Sequence, residues 1–208
     1  MSTVKLPTWK TKNFTAAAPI EAELLTEFSI DAPPSSDLWS FPDSTAKNNI
    51  PMVYKQIPLG KFKRMRVTLS TKTMAQYTQG GLVMMMGEAA GNEKWIKTGI
   101  EVMNGEQMVC VVGKDQGPDM SLGRRLSAGE WFTIEMARKD HDLVISDVSM
   151  ESGSETGHVS ILREIGWVFA GDLAVECLFG VYAAKPGTTD EEGVVEFRDL
   201  VFEGEDLD

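Results

Sequence analysis

Histidine and cysteine are scarce in this chain of 208 residues, which contains two of each. Nucleophilic catalysis by a Cys-His or Ser-His-Asp arrangement needs such residues within mutual reach, and nothing in their spacing supports one. Cys110 and Cys177 both lie within apolar runs. We therefore expect two small buried side chains, as in a cytosolic protein, with a disulfide as the less favoured alternative.

Long apolar segments are also absent. No stretch reaches the roughly 18 apolar residues that a membrane-spanning helix needs. The first 30 residues contain no apolar run of secretory length, because charged side chains interrupt them at Lys5, Lys10, Lys12, Glu21 and Glu23. The expectation is a cytoplasmic protein without a membrane partner.

The motifs that carry common enzymatic chemistry are missing as well. The chain has no phosphate-binding glycine loop and no dinucleotide fingerprint, so no cofactor is predicted. Glycoside hydrolysis needs two carboxylates at a fixed separation, and Glu-x-Asp on a strand would place both on one face. The sequence contains no Glu-x-Asp, and Glu101 has Met103 where the partner would stand. This absence favours a binding module over an enzyme, and no catalytic residue is predicted.

The formal net charge is −11, which argues against nucleic acids as partners. Residues 190–208 hold nine acids against one base, Arg198. Such a stretch is typical either of an acidic interaction tail or of a solvated last strand with a frayed end, and the second interpretation is favoured. The acids beside His141, and Asp115 and Asp119 in their loop, do not form a pattern typical of metal ligands. No metal site is predicted.

Short apolar runs separated by turn residues are the main pattern of the chain. The dipeptide Asn104-Gly105 is a strong hairpin signal, and turns recur about every 8–12 residues, which indicates an all-β sandwich or barrel. Helix is expected only in short pieces, near Met74–Tyr77 or Trp167. Eleven segments are predicted to be strands: Glu27–Asp31, Met52–Ile57, Phe62–Ser70, Gly80–Gly87, Trp95–Met103, Met108–Gly113, Trp131–Ala137, Leu143–Val148, His158–Glu164, Ala174–Ala184 and Val194–Glu203.

Alternation along the strands sorts the side chains into two faces. On the side away from the core we expect aromatic, amide and charged residues together. This predicted site consists of Tyr77, Gln79, Trp95, Lys97, Glu101 and Tyr182. Because sugars stack their C–H faces on aromatic rings and need donors and acceptors for their hydroxyls, the set is a candidate site for a glycan or a related polar small molecule.

The same residues also have a purely structural interpretation. Trp95 would cap the edge of the core, and Lys97 and Glu101 would form a weak ion pair on a solvated sheet face. Trp131 and Trp167 are expected to be packing residues. Spacing alone leaves the structural and the ligand-binding interpretations open.

Five segments carry a recognisable pattern in this order: Gln79–Met84, Lys94–Glu101, Arg163–Phe169, Phe179–Pro186 and Val195–Leu200. Together they resemble a family of unknown function that includes the yeast regulator of enolase. The resemblance implies a concanavalin A-like jelly-roll sandwich of two antiparallel sheets over residues 25–203, with a concave face. Residues 1–24 would be an N-terminal lead-in or edge strand, and residues 204–208 an acidic tail. The resemblance also implies a cytoplasmic protein linked to carbohydrate metabolism. The sequence has neither the carboxylate pattern of glucanases nor the calcium loop of lectins.

Three functional hypotheses follow. The first is a non-catalytic binding domain whose concave face holds a glycan or a related polar small molecule, with a regulatory role in carbohydrate metabolism. The second is a protein-interaction regulator of a metabolic enzyme such as enolase, with the acidic C-terminus or a sheet edge as the contact. The third is a glycan-active enzyme that uses Glu101 as an acid or base.

Overall fold

The computed structural model describes residues 8–15, 17–24, 26–41, 46–87, 93–125, 129–148, 159–189 and 193–205. The helical pieces in this part of the chain are one turn of α-helix, α1 (Glu21–Leu24), and a 3₁₀ turn at Leu59–Lys61. The strands are β1 (Lys10–Lys12), β2 (Glu27–Ala32), β3 (Leu38–Ser40), β4 (Ala46–Asn48), β5 (Met52–Pro58), β6 (Phe62–Ser70), β7 (Gln79–Met86), β8 (Lys94–Met103), β9 (Glu106–Lys114), β10 (Pro118–Arg124), β11 (Phe132–Lys139), β12 (Asp142–Asp147), β13 (Ser160–Ile165), β14 (Glu176–Ala184) and β15 (Gly193–Gly204).

Two large antiparallel sheets form the fold. The seven-stranded sheet has the order β1-β5-β14-β7-β8-β9-β10, and the six-stranded sheet has the order β13-β12-β11-β6-β15-β2. The strands β3 and β4 form a separate hairpin. The prediction of an all-β sandwich built from two antiparallel sheets is confirmed.

The main core lies between the two sheets. It combines apolar side chains from both, for example Met84 and Phe179 of the seven-stranded sheet with Val67 and Ile134 of the six-stranded sheet. In β2 the burial alternates strictly between exposed and buried residues, as expected for a strand with one face in the core and one in water. Ile96 and Ile100 of β8 also belong to this core.

A second apolar cluster covers the opposite face of the seven-stranded sheet, here called the outer face. Its members are Leu38, Ile50, Met52, Val83, Met85, Trp95, Val112, Tyr182 and Ala184. Leu38 and Ile50 come from the segment that contains the β3–β4 hairpin, so this segment packs on the outer face. As a result β7 is buried along its whole length, on both faces.

The predicted strands and the observed strands agree closely. All eleven predicted segments overlap a strand of the structure, and Asn104 and Gly105 form the expected turn, both with positive φ. The sequence missed β3, β4 and β10, whereas β1 lies at a sheet edge within residues 1–24, for which a lead-in or an edge strand was expected. Its two helix positions were wrong, since the residues near Tyr77 and Trp167 form turns. Cys110 and Cys177 are free and buried, as expected.

Some predictions fall outside the described residues. These are His158 at the start of its predicted strand and the last three acidic-tail positions, 206–208. Within the described part of the chain, no helix has the length and apolar character needed to cross a bilayer.

Candidate functional site

The residues around the β3–β4 hairpin, 36–41 and 46–50, are here called the covering segment, and hydrogen bonds anchor them over the outer face. The backbone N–H of Asp37 donates to the side-chain oxygen of Asn49 (2.9 Å), and the Asn49 N–H donates back to the Asp37 carbonyl (3.2 Å). The side-chain amide of Asn13 donates to the Ile50 carbonyl (3.0 Å). Ser36 Oγ accepts the N–H of Lys185 at the end of β14 (2.9 Å). These bonds fix Asp37 above the sheet.

A buried polar cluster lies beneath this segment. It consists of Asp37, Gln79, Lys97, Glu101 and Tyr182, and we call it the outer-face cluster. Lys97 Nζ donates to Gln79 Oε1 at 2.8 Å and lies 3.5 Å from Asp37 Oδ1. The hydroxyl of Tyr182 donates to the same Gln79 oxygen at 3.4 Å. One amide oxygen and one ammonium group therefore connect four separate segments of the chain.

Aromatic rings surround the ammonium group. Lys97 Nζ lies 5.8 Å from the ring centroid of Trp39 and 5.7 Å from that of Trp95. A cation held near aromatic faces in a desolvated place is attracted by the ring quadrupoles. Because Lys97 is only 1% exposed, its charge is compensated by the rings, the Gln79 oxygen and the Asp37 carboxylate rather than by water.

Two glycines make room for the cluster. Gly81 of β7 and Gly99 of β8 are paired directly across the sheet, with φ of 154° and 153°. A Cβ built at either would lie 2.0 Å from a backbone oxygen of the neighbouring strand, so only glycine fits. Along these two strands, the Gly81–Gly99 pair lies between the pair that contains Lys97 and the pair formed by Gln79 and Glu101. Because this glycine pair has no side chains, Lys97 can reach across it to Gln79.

Burial changes the acid–base properties of the cluster. The pKa of Glu101 is raised to about 7, mainly because the group is buried; the Lys97 ammonium opposes this rise and the Asp37 carboxylate adds to it. Burial also raises the pKa of Tyr182 well above its usual value, with Cys110, Glu101 and Asp37 adding to the shift. A carboxyl group that titrates near neutrality inside a cluster of polar side chains is a common feature of functional sites.

An open cleft adjoins the cluster on the same face. It has a volume of about 340 Å³. Met85 forms part of its floor and is paired in register with Trp95, so the cleft begins beside the cluster. The half-buried ring of Tyr54 provides an aromatic surface within it. Its polar side chains are one ammonium group, two neutral amides and two carboxylates: Lys12, Asn48, Gln56, Glu93 and Glu176.

The structure brings five of the six predicted site residues together on the outer face: Gln79, Trp95, Lys97, Glu101 and Tyr182. Tyr77 lies apart. It sits in the turn before β7 with φ of 67°, its side chain is exposed, and its N–H donates to the Val102 carbonyl at 2.8 Å. The alternative of a solvated sheet face is wrong, because the covering segment buries Lys97 and Glu101.

Sequence reasoning missed Asp37 and Trp39. Asp37 follows the turn-forming run Pro33-Pro34-Ser35-Ser36, which marks a loop but gives no sign of where that loop lies. Asp37 is also 60 positions from Lys97, a separation that follows no local periodicity. Among the described residues, no group of three His, Cys, Asp or Glu side chains is placed to hold a metal ion.

The fold defines a class of protein. The chain is a two-sheet sandwich of the kind found in glycoside hydrolase structures. It superimposes on the GH43 protein BlXynB (K247S mutant) of Bacillus licheniformis with a TM-score of 0.58 and 13% identity. It superimposes on the xylan beta-1,4-xylosidase of Bacillus halodurans with a TM-score of 0.55 and 9% identity. The match covers 86% and 83% of this chain but only 33% and 32% of those chains, so the likeness concerns the fold alone.

The particular family follows from the sequence model that matches residues 17–204: the chain belongs to the family described as "Protein of unknown function (DUF1349)". Uncharacterized protein AN7484 of Emericella nidulans is 37% identical over 191 residues, which cover 92% of this chain and 93% of that protein. A functionally unknown protein of Saccharomyces cerevisiae has the same fold, with a TM-score of 0.71, 17% identity and 96% coverage of both chains.

Proposed function

We propose that the outer face of the seven-stranded sheet binds a neutral, hydroxyl-rich small molecule such as a short glycan, without catalysis. The observation that carries this proposal is the outer-face cluster itself. Burying Lys97 and Asp37 costs several kcal/mol of desolvation per ion, by an order-of-magnitude estimate, and hydrophobic residues would stabilise the fold at least as well. A polar network on a sheet face that needs no charge for packing is therefore best explained by recognition.

The adjoining cleft supplies the access that the buried cluster lacks. Asn48 and Gln56 offer both donors and acceptors, and the Tyr54 ring offers an apolar surface for the C–H face of a sugar. Glu93 and Glu176 outnumber Lys12, so the cleft carries no excess positive charge. This composition favours a neutral polyol over a phosphorylated sugar or nucleotide.

The proposal is tested by thermal unfolding of the purified protein with neutral disaccharides. Xylobiose and cellobiose are suitable first probes, and glucose 6-phosphate is the anionic comparison. A ligand present at a hundred times its dissociation constant stabilises the fold by about 2.7 kcal/mol. We expect a saturable rise in Tm with at least one neutral disaccharide and none with the phosphorylated sugar.

Two tyrosines provide a matched pair of variants. Tyr54→Ala removes the aromatic surface of the cleft and should abolish the rise in Tm, whereas Tyr54→Phe should keep most of it. Tyr77→Ala removes an exposed tyrosine outside the cluster and should leave binding unchanged. A flat response of the wild-type protein to all neutral sugars, or equal loss in the two alanine variants, would count against the proposal.

A glycan-active enzyme is the second candidate, and one observation favours it. Glycoside hydrolysis needs two carboxylates, and Asp37 is near enough to Glu101 to raise its pKa, so it can be the second one. The pKa of Glu101 is about 7. A carboxyl group with such a pKa suits general acid catalysis at neutral pH. Turnover of chromogenic glycosides that is lost in Glu101→Gln would support this function. Absence of turnover over a broad panel would exclude it.

A protein-interaction role, with enolase as one partner to test, is the third candidate. The strand β13 lies at the edge of the six-stranded sheet and exposes Ile161 by 60%, while Val159 just before it is 57% exposed. Apolar side chains on a free sheet edge are typical of contact surfaces. Size-exclusion chromatography with purified enolase tests directly whether the two proteins form a complex. Loss of a complex in Ile161→Lys would support the edge, and loss on removing residues 204–208 would support the tail.

A further inference from the structure

A second pocket lies where β7 ends, next to the cleft of the outer face, with which it shares Gly87 in its lining. It has a volume of about 490 Å³. Its floor is apolar and includes Leu59 and Met86, both of which belong to the core between the sheets. The turn after β13 forms one wall with the half-buried ring of Trp167, and Lys94 and Asp172 stand among the lining residues.

Backbone hydrogen bonds hold the walls of this pocket in place. The N–H groups of Leu59 and Gly60 donate to the carbonyls of Val175 and Leu173, at 2.9 and 2.8 Å. These bonds connect the 3₁₀ turn after β5 to the loop before β14. The pocket is therefore formed before any ligand enters, which lowers the entropic cost of binding.

The ring of Trp167 lies beside a glycine of β9. A Cβ built on Gly113 of β9 would lie 3.8 Å from Cζ2 of the Trp167 ring. Gly113 pairs with Ile96, whose side chain faces the core, so the ring extends the inner face of the seven-stranded sheet. A flat aromatic wall thus borders the apolar floor.

One ammonium group and two carboxylates lie at this pocket, so it carries no excess positive charge. Lys94 Nζ lies 5.6 Å from the Trp167 ring centroid and pairs with the carboxylate of Asp115. Asp172 Oδ1 accepts the N–H of Ala174 at 2.9 Å. An ammonium group has three donors, so Lys94 retains hydrogen-bonding capacity beyond its ion pair. Two nearby carboxylates disfavour an anion, and the apolar lining cannot replace the hydration of a sugar.

We infer that this pocket binds a neutral, flat, largely apolar small molecule whose ring stacks on Trp167 and whose single acceptor, such as a carbonyl oxygen, accepts a hydrogen bond from Lys94. The ligand class differs from the hydroxyl-rich molecule proposed for the outer face. The two linings share Gly87, so the sites lie side by side, but they share no charged group and no aromatic ring, and the variants below separate them.

Nuclear magnetic resonance of the full chain tests the inference with three probes of one ring size. Acetophenone carries a neutral acceptor, ethylbenzene has none, and benzoate carries a negatively charged one. The five tryptophans give five indole N–H signals, and the Trp167→Phe variant identifies the signal of Trp167 by its loss. We expect saturable shifts of that signal, with acetophenone binding more tightly than ethylbenzene or benzoate.

Variants separate the stacking from the hydrogen bond. Trp167→Ala should weaken acetophenone binding by about tenfold or more, and Trp167→Phe by less than about threefold, since a ring stays in place. Trp131→Ala is the matched control, because Trp131 also pairs with a cation, Arg198 at 4.1 Å, but lies on the other sheet. Lys94→Met should weaken acetophenone selectively and leave ethylbenzene unchanged.

The outcomes that would overturn the inference are equally specific. Absence of a saturable shift at the Trp167 signal in the wild-type protein would exclude a ligand site there. Equal binding to the Trp167→Ala variant, with its fold verified by circular dichroism, would exclude stacking on this ring. If Lys94→Met weakened both neutral probes alike, the assigned hydrogen bond would be wrong.

Discussion

The outer faces of the two sheets differ in how far their charged side chains are exposed to solvent. On the six-stranded sheet, Arg64 reaches Glu135 at 3.2 Å and also contacts Glu203, and its side chain is 32% exposed. On the seven-stranded sheet, Lys97 contacts Asp37 at 3.5 Å with a side chain that is only 2% exposed. Both faces carry a cation between acceptors, but only Lys97 is removed from water.

The difference arises from the covering segment rather than from the strands. Without the residues around β3 and β4, the outer face of the seven-stranded sheet would be as solvated as that of the other sheet. Solvent screens the charges around Arg64, so their arrangement has little energetic consequence. The outer-face cluster has no such screening, and every polar atom in it depends on its protein partners. Substitutions should therefore have large effects on one face and small effects on the other.

The largest effect is expected at Lys97. Lys97→Met leaves the buried Asp37 carboxylate without its cation, and breaking such a pair typically costs about 3–5 kcal/mol. We expect a loss of about 4 kcal/mol in the free energy of unfolding, measured by urea denaturation. The side chain of methionine keeps most of the buried volume, so the loss reports the charge rather than a cavity.

A double variant makes this prediction sharper. Lys97→Met combined with Asp37→Leu removes both charges, and replacing a buried pair by apolar residues is often neutral within about 1 kcal/mol. The double variant should regain most of the stability yet fail to bind the ligand of the outer face. A double variant as unstable as the single one would show that the cluster is needed for folding rather than for recognition.

Gly99→Ala should have the next largest effect. The added Cβ would lie 2.0 Å from the carbonyl oxygen of Gly80, and φ at Gly99 is 153°. Overpacking and an unfavourable φ together should cost about 3 kcal/mol, again measured by urea denaturation. Gly123→Ala in the edge strand β10 is the control, because a Cβ there meets nothing within 4 Å. Equal costs at the two positions would contradict the close approach of β7 and β8.

The pH dependence of stability should show the burial of Glu101. Its pKa rises from 4.5 to about 7 in the folded protein, so the folded state holds this proton more tightly than the unfolded state. The contribution of Glu101 to stability is thus complete below about pH 4.5 and falls as the pH rises through 7. The loss should amount to about 2–3 kcal/mol between these limits.

The Glu101→Gln variant isolates this effect, since glutamine stays neutral at all pH values. The unfolding free energy of the variant minus that of the wild type should increase from pH 4.5 to pH 8. Other titrating groups cancel in this difference. A difference that does not change with pH would mean that Glu101 keeps an ordinary pKa and that the outer face admits water.

The sequence predicted the strands of this fold well and the site only in part. Alternation in β8 and β14 placed Trp95, Lys97, Glu101 and Tyr182 on one face correctly, because side-chain direction in a strand is a local property. Burial of that face is not local. It depends on a hairpin of two three-residue strands, too short to leave an apolar pattern, and on Asp37 from the loop before it. The strand β10 escaped prediction because it is an almost wholly exposed edge with little apolar periodicity.

The smallest effect is expected on the solvated face. Arg64→Met, the same replacement as at Lys97, should cost less than about 1 kcal/mol, and about 1 M salt should remove most of that difference. The hydrogen bond from Arg64 is the main cause that lowers the pKa of Glu203, so in the variant this pKa should rise toward its usual value in a carboxyl NMR titration. The variant should bind the outer-face ligand like the wild type. If Arg64→Met instead destabilised the fold as strongly as Lys97→Met, the contrast between a screened and an unscreened face would not explain the energetics of this sandwich.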